Sequence, residues 1–222
     1  MHYLVISGDI IASHSLTDRR KKQKTFQTAL KLTSLKFEAQ CISPLTNTSG
    51  DYFQMVLPNA DVLFAIISYL EFSVPTLSFR YGLAVGSIDT EINSSAATGM
   101  DGNAFRRARE AHQRAKMHTY KFAFSCGSVN GEPIDLLLHW MGAEQQRWSR
   151  QKKRAYALYK RGLKQKVIAN RLHISQPAVS KMISSSGQKL VYQSEIQIQS
   201  LINKQMHNQN DKAEKGATVK PA

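Results

Sequence analysis

The order of apolar runs over the first 88 residues leaves this chain few folds to choose from. Residues 2–8 (HYLVISG) form a short run with β-branched members that ends at Gly-Asp, the pattern of a buried strand. From Asp18 to about Gln40 a helical pattern follows. Phe26, Leu30, Leu32, Leu35 and Phe37 form its apolar stripe, and Asp18 is placed to cap it. CISPLTNT and YFQMVLP flank Ser49-Gly50-Asp51 and read as a hairpin with that tripeptide at its tip. After Pro58, ADVLFAIISYLEFS reads as a second, very apolar helix, and TLSFRYGLAVGSI (76–88) as a further strand. Strand, helix, strand, strand, helix, strand is the βαββαβ plan of a ferredoxin-like α+β domain. Right-handed crossovers put strands 1 and 3 side by side at the sheet centre, so the end of strand 1 lies next to the hairpin tip. Ser-Gly-Asp occurs at both places, 7–9 and 49–51. The topology therefore makes neighbours of Asp9 and Asp51.

Beyond this unit, GMDGNAFRRAREAHQRAKMHTYKFAFSCG (99–127) predicts a helix capped by Asp101 or Asn103, then an added edge strand. Ala104, Phe105, Ala108, Ala111 and Ala115 give the helix a small-residue packing stripe, and arginines 106, 107, 109 and 114 cover its other positions. PIDLLLHWMGAE (133–144) predicts a short helix, with a domain boundary near 142–146. The expected organisation is a palm-type domain over 1–142, an all-α helix-turn-helix domain over 143–206, and a disordered tail over 207–222, which lacks apolar anchors.

The second domain rests on KQKVIANRLHISQPAVSKMI (164–183). Its apolar and small positions, Ile168, Ala169, Leu172, Ile174, Val179 and Met182, suit a helix, a tight turn at His173–Ile174, and a second helix capped by Ser175 with Pro177 in its first turn. Polar residues hold the outward positions of the second helix. In front lies a basic amphipathic helix (148–162) that Gly162 can end. Residues 1–142 hold 14 Lys+Arg against 12 Asp+Glu, a balance of +2, while 143–222 hold 16 against 4, or +12. That concentration of charge calls for a polyanion, and the helical grammar makes it double-stranded DNA. Lys164, Lys166 and Arg171 are then expected at phosphates. Gln176, Ser180 and Lys181 are expected at base edges, beside the cap Ser175. Readers of this kind engage two half-sites, so a homodimer is expected. No apolar run spans a membrane, no signal-peptide layout is present, and Cys41 and Cys126 read as two buried thiols. A cytoplasmic protein is the expectation.

ISGDIIAS, GD-x-FQ, RYGLAVGSIDT and GMDGNAFRRAREA, in this order and at these distances, resemble the SatD family of small bacterial proteins, over about residues 3–205. The resemblance implies the palm-like fold with a C-terminal helix-turn-helix. Where relatives read Gly-Asp-Glu-Phe-Gln, this chain has Gly50-Asp51-Tyr52-Phe53-Gln54. A more distant likeness is to palm-type nucleotide cyclases and GGDEF enzymes, whose two carboxylates hold Mg²⁺ against a triphosphate. It implies Asp9 and Asp51 as metal ligands with the carbonyl of Ile10. It also implies Gly8 and Gly50 where phosphates approach the backbone, and Arg80 and Arg106 as phosphate partners. Three readings of the paired aspartates stay open: a nucleotide- or phosphate-binding palm without turnover, a Mg²⁺-dependent nucleotidyl cyclase-like enzyme tethered to DNA, and ordinary turn chemistry. The expected protein is a DNA-binding regulator whose N-terminal domain binds a phosphorylated ligand.

Overall fold

The structure, a computed structural model, describes residues 1–13, 18–184 and 186–217. Five strands form one sheet: β1 (His2–Ile10), β2 (Ser43–Ser49), β3 (Tyr52–Leu57), β4 (Phe79–Ser87) and β5 (Phe122–Ser125), in spatial order β2-β3-β1-β4-β5. β1 runs antiparallel to both β3 and β4, and β5 adds in parallel to β4. With α1 (Arg19–Lys36) between β1 and β2, and α2 (Leu63–Ser73) between β3 and β4, this is the expected βαββαβ order with one edge strand added. The hairpin turns at Gly50 and Asp51, and Gly50 takes a positive φ of 56° at no steric cost, having no Cβ.

Alternation along β1 divides the core. Leu4, Ile6 and Ile10 join Phe26, Phe53, Leu63 and Phe79 on the face covered by α1 and α2. Val5 joins Val56, Ala84, Ala104 and Ala108 on the opposite face, against α3 (Asn103–Met117). α3 lies very close to the sheet. A Cβ on Gly82 would stand 2.3 Å from the Ala108 carbonyl oxygen, and one on Gly86 would stand 2.5 Å from Ala104 N. The alanine stripe of α3 and the glycines of β4 are therefore one feature, since small residues on both sides allow backbone-to-backbone packing.

Several local expectations need correction. Asp18 precedes α1 with a left-handed backbone and makes no side-chain cap. Phe26, Leu30 and Phe37 are buried, but Leu32 and Leu35 are 48% and 59% exposed, because they fall off the i, i+4, i+7 face. Cys126 is buried and Cys41 only partly so; both are free thiols. α3 starts at Gly102 without a side-chain cap, and Asp101 instead accepts from Gly102 N.

The boundary expected near 142–146 falls inside α4 (Glu132–Gln146). Three helices follow: α5 (Arg150–Lys160), capped by Ser149, α6 (Gln165–Leu172) and α7 (Gln176–Ser184). Their shared core is Ala155, Leu158, Ile168, Ala169, Leu172, Val179 and Ile183. Between α6 and α7, His173 adopts φ 53°, ψ 48°, while Ile174 N donates to the Ala169 carbonyl at 3.1 Å. Ser175 Oγ accepts from Ala178 N at 3.3 Å, as its expected cap role requires. α8 (Ser186–Ala217) then returns to the sheet, where Val191, Ile198, Ile202 and Met206 enter the same core as Leu4 and Phe122. The segment expected to be a disordered tail from 207 continues this helix to Ala217, and residues 218–222 lie outside the described residues. Its anchors are polar: Gln209 Nε2 donates to the Cys126 carbonyl, and Asn210 Oδ1 accepts from His2 N. An apolar pattern could not reveal them.

Candidate functional site

The two Ser-Gly-Asp copies take different structures. Residues 49–51 form the hairpin turn, but residues 7–9 are interior to β1, each in register with β4: Ser7 with Gly82, Gly8 with Tyr81, Asp9 with Arg80. Each of these three residues has a local task. Ser7 Oγ bonds to the carbonyls of Gly82 and Ala108, tying β1 to β4 and α3. Gly8 lies beneath Phe53, whose ring atoms would stand 2.5 Å from a Cβ there. Gly8 is thus a seat for an aromatic ring and offers no open backbone to a phosphate. Ile10 turns its side chain into the apolar core.

Asp9 faces α3. Its carboxylate lies 3.4 Å from Arg80 Nη1 and 3.1 Å from His112 Nε2, and all three side chains are nearly buried. The imidazole contact is close but off the line of a well-directed hydrogen bond. Burial alone would raise the Asp9 pKa, but the His112 contact, then Arg80 and Lys116, outweigh it and hold the carboxyl below its ordinary value. Tyr52 meets the His112 ring edge-on at 5.2 Å between centroids, so the residue replacing the relatives' glutamate packs against the group that holds Asp9. Tyr52 Oη and Arg80 Nε are buried without a hydrogen-bond partner.

This arrangement does not fit a divalent cation. A metal ion needs carboxylate lone pairs turned to an open, electronegative space. Here the Arg80 guanidinium and the His112 ring, with Lys116 behind them, already surround the single carboxylate. Register places the hairpin tip beside the end of β1, since Gly8 stands opposite Phe53. Yet among the described residues the Asp51 side chain makes no ion pair or hydrogen bond, and no group of three or more His, Cys, Asp or Glu is placed to hold a metal. Arg80 is spent on Asp9. Arg106 is spent on Asp89 and Asp101, at 3.4 and 3.3 Å. Arg107 and Arg114 donate to the carbonyls of Val85 and Phe124. Chemically the cluster is a clamp joining β1, β4 and α3. Its missed member, His112, had one signal in the sequence: a polar residue four after Ala108, on the small-residue stripe.

The second group of expected site residues lies together on the surface of α6 and α7. Lys164, Lys166, Arg171, Ser175, Gln176 and Lys181 are exposed, and Ser180 partly so. Gln176 Nε2 donates to Gln165 Oε1 at 2.7 Å, linking the starts of the two helices. Among the described residues none of these lysines and arginines has an ion-pair partner, so the face carries uncompensated positive charge. No helix of the described residues is long and apolar enough to cross a membrane.

Comparison with solved structures finds a bacterial light-regulated adenylyl cyclase, 12% identical, with TM-score 0.41, over 56% of this chain and 75% of that one. It also finds the guanylate cyclase domain of RhGC from Catenaria anguillulae in complex with GTP, 16% identical, with TM-score 0.36, over 50% of this chain and 72% of that one. No curated protein matches. The SatD family model matches residues 3–202, from β1 through about half of α8, and the chain belongs to the SatD family.

Proposed function

We propose that the chain is a DNA-binding regulator in which α5–α7 form a helix-turn-helix unit and α7 enters the major groove. The observation that carries this reading is the division of α7 into two faces. Val179 and Ile183 pack inward, while Gln176, Ser180, Lys181 and Ser184 stay polar and outward. The tight turn at His173, left-handed at φ 53° and ψ 48°, supports it, because only residues 173–175 separate α6 from α7. So does the balance of +12 over residues 143–222. Lys164, Lys166 and Arg171 serve phosphates, and Gln176, Ser180 and Lys181 read base edges. Two copies bound to two half-sites form the working unit.

α8 gives this unit its mechanical link to the sheet. It leaves α7, crosses α4, and packs Ile198 and Ile202 into the main core. Whatever the first 142 residues bind therefore bears on how α7 is held. The nucleotidyl-transfer alternative finds no comparable support, since Asp9 is already engaged by Arg80 and His112.

The test is duplex binding by fluorescence anisotropy across a salt series. Wild-type affinity should fall with salt at a slope of roughly −0.9 per phosphate contact, and Lys166→Ala should make that slope shallower by about one contact. An affinity indifferent to salt, or no duplex binding at low salt, would remove the reading.

A further inference from the structure

A cavity away from Asp9 lies where the sheet domain meets α5. It has a volume of about 230 Å³. Phe64 and Phe72 of α2, Phe122 of β5 and Trp148 before α5 form its apolar walls. The polar groups divide into a locked set and a free set. Lys121 Nζ is buried and bonded to Glu71 at 2.9 Å and to Gln145 Oε1 at 2.6 Å, while Tyr81 Oη also donates to Glu71 at 3.2 Å. Glu195 is answered by Lys160. Both carboxylates of the lining are thus neutralised. Arg150, Lys153 and Arg154 stand along the same cavity, and among the described residues none of them has an ion-pair partner. Tyr156, 5% exposed, adds a buried hydroxyl that completes no hydrogen bond, although Glu195 lies close enough to help raise its pKa beyond what burial does.

We propose that this cavity binds a small organic carboxylate with one ring or a short alkyl chain as its body. The apolar walls would take the body, and Lys153 and Arg154 would take the charge. Size sets the class. An apolar protein cavity of about 150 Å³ accepts benzene, so this volume holds one substituted ring, and it falls short of the roughly 300 Å³ or more usual for larger ligands such as nucleotides. Charge sets the sign. Three uncompensated cations beside two answered carboxylates favour an anion, and a guanidinium is suited to pair with a carboxylate in two parallel bonds. The walls come from both parts of the chain: α2, β4 and β5 on one side, α5 on the other. An occupant would fix α5 against the sheet and so bias the helices that α5 supports. This last consequence rests on the DNA-binding reading; occupancy of the cavity does not.

The test uses the full chain carrying Trp140→Phe, so that Trp148 is the sole tryptophan. Benzoate, phenylacetate and hexanoate are titrated with Trp148 emission and melting temperature as readouts, and benzyl alcohol serves as the uncharged control. Saturable quenching and a rise in melting temperature are expected from at least one acid. Kd should weaken by roughly ten-fold or more in Lys153→Met/Arg154→Met and stay unchanged in Gln176→Ala/Lys181→Ala. No saturable response to any acid at about 10 mM would overturn the proposal. Equal binding of benzyl alcohol, or a Kd indifferent to the Lys153/Arg154 pair, would do the same. Duplex affinity measured with and without the bound acid then tests the coupling, and its failure would leave the occupancy result standing.

Discussion

If Asp9 is a structural clamp, replacing it should cost the fold dearly; if it is a ligand carboxylate waiting for a cation, replacing it should help. Asp9→Asn keeps the shape of the side chain and removes the charge. The carboxylate lies 3.4 Å from Arg80 Nη1, a Coulomb attraction of about 5 kcal/mol at an effective dielectric near 20. Both side chains are nearly buried, so part of that attraction offsets desolvation. Losing it also leaves Arg80 without its counter-charge. The expected net loss is about 2–4 kcal/mol at pH 7, below the top of the range for broken buried pairs because 3.4 Å is long for such a contact. For a chain of this size, that corresponds to a fall of roughly 5–12 °C in melting temperature. Asp51→Asn is the control: its side chain is half-exposed and unpaired, and it should shift stability by under about 0.5 kcal/mol. The pH dependence follows from the depressed pKa of Asp9. The stabilisation is complete above the unfolded carboxyl value of about 3.9 and is lost as pH falls through the lower folded value. Scanning calorimetry at pH 7 and on an acid series measures both. An Asp9→Asn protein as stable as wild type, or one stabilised by the change, would refute the clamp. So would a Mg²⁺-induced rise in melting temperature that needs Asp9 and Asp51 together.

Three further outcomes are expected. Gly82→Ala brings a methyl within 2.3 Å of the Ala108 carbonyl oxygen, so α3 must move off the sheet; urea unfolding should register a loss of about 3 kcal/mol. His173→Val places a β-branched residue at φ 53° and should cost about 1–2 kcal/mol by the same measurement, with a matching loss of duplex affinity. Lys160→Met leaves Glu195 buried without its ammonium partner and should destabilise by about 3–5 kcal/mol. Glu195 already has a raised pKa from burial, so the loss should be largest at high pH and shrink as the pH falls and Glu195 takes up a proton.

The sequence announced the sheet because its signals are local. Apolar runs set off by the Ser49-Gly50-Asp51 turn and Pro58 mark strands and helices within a few residues of their true ends, although Gly8-Asp9 lies inside β1. The α6–α7 turn was legible for the same reason, down to a histidine taking the left-handed backbone. What stayed hidden was long-range. Nothing near residue 9 says that α3 will cover that face of the sheet, because the cause is a match between Gly82 and Gly86 on β4 and the alanines of α3. Once α3 is there, Asp9 meets His112, and the carboxylate that looked free for a metal is taken. The cavity at Trp148 was equally unreadable, since its walls come from six separate elements and from charges whose partners lie far away in sequence. Composition changes at 143, and it gives no sign that α8 returns Ile198 and Ile202 to the first core.

The proposed function makes α7 the element that reads DNA sequence. Selection of bound duplexes from a random library, followed by sequencing, tests it most directly when wild type is run beside Gln176→Ala/Lys181→Ala. Wild type is expected to enrich a two-fold symmetric site, while the double variant, folded to the same melting temperature, loses enrichment by about 1–3 kcal/mol per base contact removed. No enrichment by wild type, or the same site enriched equally by the variant, would contradict it.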